Sequence, residues 1–134
     1  MKILRGWWPS IVVLIVILWL TLAPHPIGDT QIELFPGADK LVHAIMMGGL
    51  ASALLFDWRR NGGRMPYRAF TARTVCMVIV AVTLFSVADE IAQQSMQLGR
   101  SGDVFDVIAD FVGILLGVLL SRPVISRIFR DSRG

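Results

Sequence analysis

A chain of 134 residues, 54% apolar and only 17% charged, is long enough for one domain. Its mean hydropathy of +0.64 excludes a soluble domain of this size, which could not hide so much apolar surface from water. The single cysteine, Cys76, excludes an intrachain disulfide and, lying within an apolar run, is expected to be a buried, inert thiol.

The apolar residues gather into four segments without period-2 alternation. The expected fold is therefore all-α, a bundle of four transmembrane helices in a single domain covering residues 1–134. The helices are expected at about 7–23, 40–56, 74–97 and 103–121. The first, "WWPSIVVLIVILWLTLA", is longer than the apolar core of a signal peptide and is followed at once by Pro24. It reads as a retained helix, with Trp7, Trp8 and Trp19 as interfacial anchors. The other three approach the ~20 residues needed to cross the bilayer only when their polar ends are included. Between the first two lies a short Pro/Gly-rich loop, in which His25 sits between two prolines. A second loop, "DWRRNGGRMPYRAF", carries the breakers of a turn.

Basic residues set the orientation. Lys2 and Arg5 precede the first helix, and Arg59, Arg60, Arg64, Arg68 and Arg73 lie between the second and third. Arg122, Arg127, Arg130 and Arg133 follow the fourth. Residues 24–38 contain no Lys or Arg, and the turn at 97–102 contains only Arg100. The positive-inside rule then predicts both termini and the 57–73 loop in the cytoplasm. The arginines read as topology and anionic-lipid signals, not as a nucleic-acid surface.

With that topology, the unusual polar residues converge at one side, facing outward. The second helix opens with Asp39, Lys40 and His43, at spacings that let them share a face. The third ends in "VADEIAQQSMQLGR", where Glu90, Gln93, Gln94 and Gln97 form a stripe and Asp89 is expected to face the outer water. The fourth carries Asp103, Asp106, Asp110, Gly113 and Gly117 on one seam. Its inner glycines form a GxxxG pair suited to close helix packing. Asp103 reads as a helix cap, while Asp39 and Lys40 read equally well as interface markers. Glu90, Asp106 and Asp110 are different: a carboxylate one or two turns into an apolar helix is costly unless paired, so a site is the default reading.

These residues resemble the VanZ-like family of small multi-pass membrane proteins. The resemblance lies in the order D-K-x-x-H (Asp39, Lys40, His43), then Glu90 and Gln93 as E-x-x-Q behind the aromatic Phe85, then "GRSGDVFDVIADFVG" with Gly99, Arg100, Asp103, Asp106, Asp110 and Gly113. The chain departs from the family pattern in placing Asp110 where Asn is usual, Phe85-Ser86 where Tyr-Gly is usual, and Ala44 in place of an aromatic residue. The resemblance implies a four-crossing protein of the bacterial cell envelope, in the inner membrane.

The leading expectation for function is binding without catalysis. Asp39, Lys40, His43, Glu90, Gln93, Arg100, Asp106 and Asp110 would form a ligand site for an anionic envelope lipid or cell-wall precursor, with Arg100 and Lys40 on a phosphate. A rival is a membrane-embedded hydrolase or transferase acting on a polyprenyl or phospholipid head group. There His43 would be the base and Glu90 or Asp106 the orienting carboxylate, or the acids would hold a divalent metal ion. A third reading makes the polar residues interhelical glue in a protein that binds a membrane partner. No metal or cofactor motif occurs: HExxH, G-x-S-x-G and CxxC are all missing from the sequence.

Overall fold

The computed structural model describes residues 6–23, 36–61, 70–96 and 104–131. Within them the chain forms four helices: α1 (Trp8–Leu22), α2 (Ala38–Asn61), α3 (Ala72–Met96) and α4 (Val104–Asp131). Helix is the natural state of such segments in lipid, because it satisfies every backbone N–H and C=O within the segment. Three of the helices are long and apolar enough to cross a membrane, and α1 is a shorter apolar helix of 15 residues.

Local chemistry sets the helix ends. Pro9 sits in the first turn of α1, where its missing N–H costs nothing. The helix stops at Ala23, which is extended at φ −72 and ψ 137, as suits the residue before Pro24. A turn at Gly37, whose φ of +87 favours glycine, leads into α2. Thr71 caps α3: its hydroxyl oxygen accepts the Thr74 N–H at 3.2 Å.

Two helices outrun their apolar segments. α2 continues past residue 56 through Asp57, Trp58, Arg59, Arg60 and Asn61, and α4 runs through Pro123 to Asp131. Proline removes one helical hydrogen bond, but packing holds the extension in place. Ile125 is buried, and Phe129 lies 5.6 Å from the Phe56 ring and beneath the Arg59 guanidinium.

The closest approach is between α2 and α4, which run parallel. A Cβ at Gly113 would fall on the Ala44 carbonyl, one at Gly117 on the Gly48 carbonyl, and one at Gly48 on the Gly113 carbonyl. The expected GxxxG seam is thus the α2–α4 contact. The Ser52 hydroxyl reaches the Gly48 carbonyl at 2.8 Å and the Gly117 carbonyl at 3.2 Å. α3 packs against both of these helices, and α1 lies against α2 and α3. The core includes Ile17, Met47, Leu55, Val82 and Ile114. Large apolar side chains such as Ile15, Leu84, Leu119 and Leu120 point outward, as a lipid solvent requires. Cys76 belongs to this outer surface: it is exposed, contrary to the buried thiol expected, because its face of α3 has no helical neighbour.

The end of the bundle where α1 and α3 begin is basic and tightly tied. Asp57, fully buried, accepts the Ser10 N–H at 2.9 Å and the Ser10 hydroxyl at 2.6 Å, and the Arg60 guanidinium stands 3.3 Å from its other oxygen. Asn61 donates to the Gly6 carbonyl at 2.8 Å. Among the described residues every arginine lies at this end.

Candidate functional site

The opposite end is built from the first turns of α2 and α4 and the last turns of α3 and α1. Lys40, on α2, donates to Asp106 on α4 at 3.0 Å and lies 3.5 Å from Asp39. One turn deeper, His43 Nδ1 stands 3.5 Å from Asp110 Oδ1. From α3, the Ser86 hydroxyl donates to the other Asp110 oxygen at 2.5 Å. Three helices therefore meet at Asp110, which is 1% exposed.

Beside this cluster lies a second one. Asp89 accepts the Thr21 hydroxyl of α1 at 2.9 Å and the Gln93 amide at 2.9 Å. Sequence reasoning expected Asp89 to face water, but it is buried at 5% exposure, because α1 ends against this face of α3. Gln93 serves as its partner one helical turn on. Replacing Thr21 with valine, which keeps the shape and removes the hydroxyl, should cost about 1–2 kcal/mol by leaving a buried carboxylate oxygen without a donor. Thermal unfolding in detergent would measure it, with Thr83→Val as a control whose hydroxyl already lacks a hydrogen-bond partner.

The predicted residues thus fall into distinct places. Lys40, His43, Asp106 and Asp110 come together across α2 and α4, and Glu90 is buried on α3 beside Asp89. Asp39 stays at the rim, its side chain 65% exposed, and Gln94 faces outward. Arg100, Asp103 and Gln97 lie outside the described residues. Sequence reasoning missed Ser86 and Thr21. Ser86 carried a readable signal, since it lies four residues before Glu90 on the same helical stripe. The structure adds two specific pairings across α2 and α4, Lys40 with Asp106 and His43 with Asp110.

Two buried atoms here lack a hydrogen-bond partner, His43 Nδ1 and Asp110 Oδ1. Their 3.5 Å separation is an ion-pair distance for an imidazolium, but longer than a usual N–H···O bond. Among the described residues no group of three or more His, Cys, Asp or Glu side chains could hold a metal ion.

Long apolar helices around a buried polar end define a small multi-pass integral membrane protein. The VanZ/LLP1 family model matches residues 10–129, nearly the whole chain, and the protein belongs to that family. No curated protein and no solved structure matches it.

Proposed function

We propose that the polar end faces the outer side of a bacterial inner membrane and binds the head group of an envelope lipid or cell-wall precursor. The orientation is supported by the arginines, which among the described residues all lie at the other end, while Lys40 is the lone described Lys or Arg here. Lys40, with Arg100 of the segment that joins α3 and α4 in sequence, meets the phosphate. His43, Glu90, Asp106 and Asp110 line the interior, Gln93 supports them, and Asp39 stands at the rim. One observation chiefly supports this: His43 and Asp110 bring together buried polar atoms that the protein leaves without hydrogen bonds.

The experiment is lipid co-purification from cell membranes, comparing wild type with His43→Ala and Arg100→Ala. Both variants should lose most of the retained lipid while unfolding near the wild-type temperature. Unchanged retention combined with a large fall in thermal stability would instead assign the residues to interhelical support. A second reading, hydrolysis or transfer at a lipid phosphate, draws on the carboxylate at His43 Nδ1, which suits a general base acting through Nε2. Turnover of a polyprenyl diphosphate by purified protein, abolished in His43→Ala, would establish it. The absence of turnover would end it.

A further inference from the structure

We propose that a groove between α1, α2 and α3 holds one acyl chain of an anionic phospholipid from the leaflet at the arginine end. This site stands apart from the polar end and does not rest on it. The groove has a volume of about 300 Å³. Its walls are Ile11 and Leu14 of α1, Leu50 and Leu54 of α2, and Ala81 and Phe85 of α3, with Trp7 at one end. It opens outward along Ala81, which is exposed. Ser10 also borders it, but its hydroxyl is bound to Asp57. What remains is a hydrocarbon surface. Water fills such a space poorly, because it needs polar partners, and an empty space forfeits dispersion contacts along its walls. The surrounding lipid supplies a chain that restores them.

Depth and charge identify the lipid. α1 and α3 begin at the same end, and Thr21 of one meets Asp89 of the other, 68 residues on. By that offset Phe85 is level with Ile17, so the groove extends from Trp7 to the level of Ile17, ~15 Å at 1.5 Å per residue. That is half of a hydrocarbon core of about 30 Å, the reach of a chain from one leaflet. Its outer end is at Trp7, which stands edge-on to Trp58 with ring centroids 6.4 Å apart, an aromatic pair suited to the membrane–water interface. Among the described residues at this end, Arg59, Arg60, Arg73, Arg122, Arg127 and Arg130 outnumber the acids Asp57 and Asp131. A negative head group is therefore favoured over a zwitterionic one. Arg73 is exposed in the first turn of α3 and, by the same offset, stands two residues outside the level of Trp7, at head-group height.

The test uses the full chain in nanodiscs, since a detergent tail would compete for an apolar groove. The probe is phosphatidylglycerol or phosphatidylcholine carrying a diazirine midway along one acyl chain, with cross-linked peptides mapped by mass spectrometry. Phosphatidylglycerol should label the half-buried Leu14, Leu54 and Phe85 more heavily than Ile15, Leu84 and Leu119, which are 59%, 66% and 65% exposed. Exposure alone predicts the reverse order. Groove labelling should be about fivefold weaker with phosphatidylcholine, the effect of one arginine near a charged head group. Arg73→Gln should remove most of that difference. Ala81→Phe places a ring in the groove and should abolish the groove labels while keeping those at Ile15 and Leu119. Wild-type labelling that simply follows exposure would overturn the groove site without recourse to any variant. Equal labelling by the two lipids would overturn the anionic occupant, and cross-links from Leu14 or Leu54 to a second copy of the chain would assign the groove to self-association instead.

Discussion

Gly117→Val should prevent recovery of a folded protein, whereas Gly49→Ala, one residue beyond Gly48 on α2, should leave it intact or slightly more stable. The two glycines differ in what surrounds them. A Cβ at Gly117 would strike the backbone of Gly48, and backbone inside a packed helix pair cannot step aside as a side chain can. Overpacking a core ordinarily costs 1–3 kcal/mol, and here the only relief is to part α2 from α4, so the loss should reach about 3 kcal/mol or more. The same parting would separate Lys40 from Asp106 and His43 from Asp110, since all four sit on the same two helices. A Cβ at Gly49 would meet nothing within 4 Å, and alanine there should gain about 0.5–1 kcal/mol of helix propensity. Yield and thermal midpoint in detergent would separate the two.

Asp57→Ala should be nearly as damaging, though it lies far from the proposed site. α1 begins without a side-chain cap of its own, and Asp57 of α2 supplies the acceptor for the Ser10 N–H. The same carboxylate oxygen takes the Ser10 hydroxyl, and the other faces Arg60. Truncation therefore leaves two buried donors and a nearby cation without their acceptor, an expected loss of about 3 kcal/mol. Ser10→Ala removes only the hydroxyl and should cost about 1 kcal/mol. Lipid retention at the polar end should be unaffected in Ser10→Ala, which separates a fold defect from a binding defect.

These two predictions also mark what the sequence could and could not disclose. The apolar runs are continuous, so the helices were legible, and the 4-3-4 spacing of Asp106, Asp110, Gly113 and Gly117 displayed a single packing face. Convergence of His43, Glu90, Asp106 and Asp110 at one end followed from helix direction alone. Asp57 was not legible: it opens a run of breakers and arginines that reads as a turn, and its partner Ser10 is 47 residues away. Asp89 was misplaced for a related reason, since its burial depends on Thr21 of α1, 68 residues earlier. The run of α4 beyond Pro123 depends on Phe129 finding Phe56, which no local propensity encodes. Ser86 and Asp110, on α3 and α4, are in contact, so this buried carboxylate comes with its own donor from another helix.

Whether the polar end holds a lipid head group is measured most directly by an experimental structure determined with native lipid retained. Head-group density is expected between α2, α3 and α4, in contact with His43 and Asp110. Lipid confined to the apolar girdle, with the polar end closed by the protein's own side chains, would contradict the proposed site.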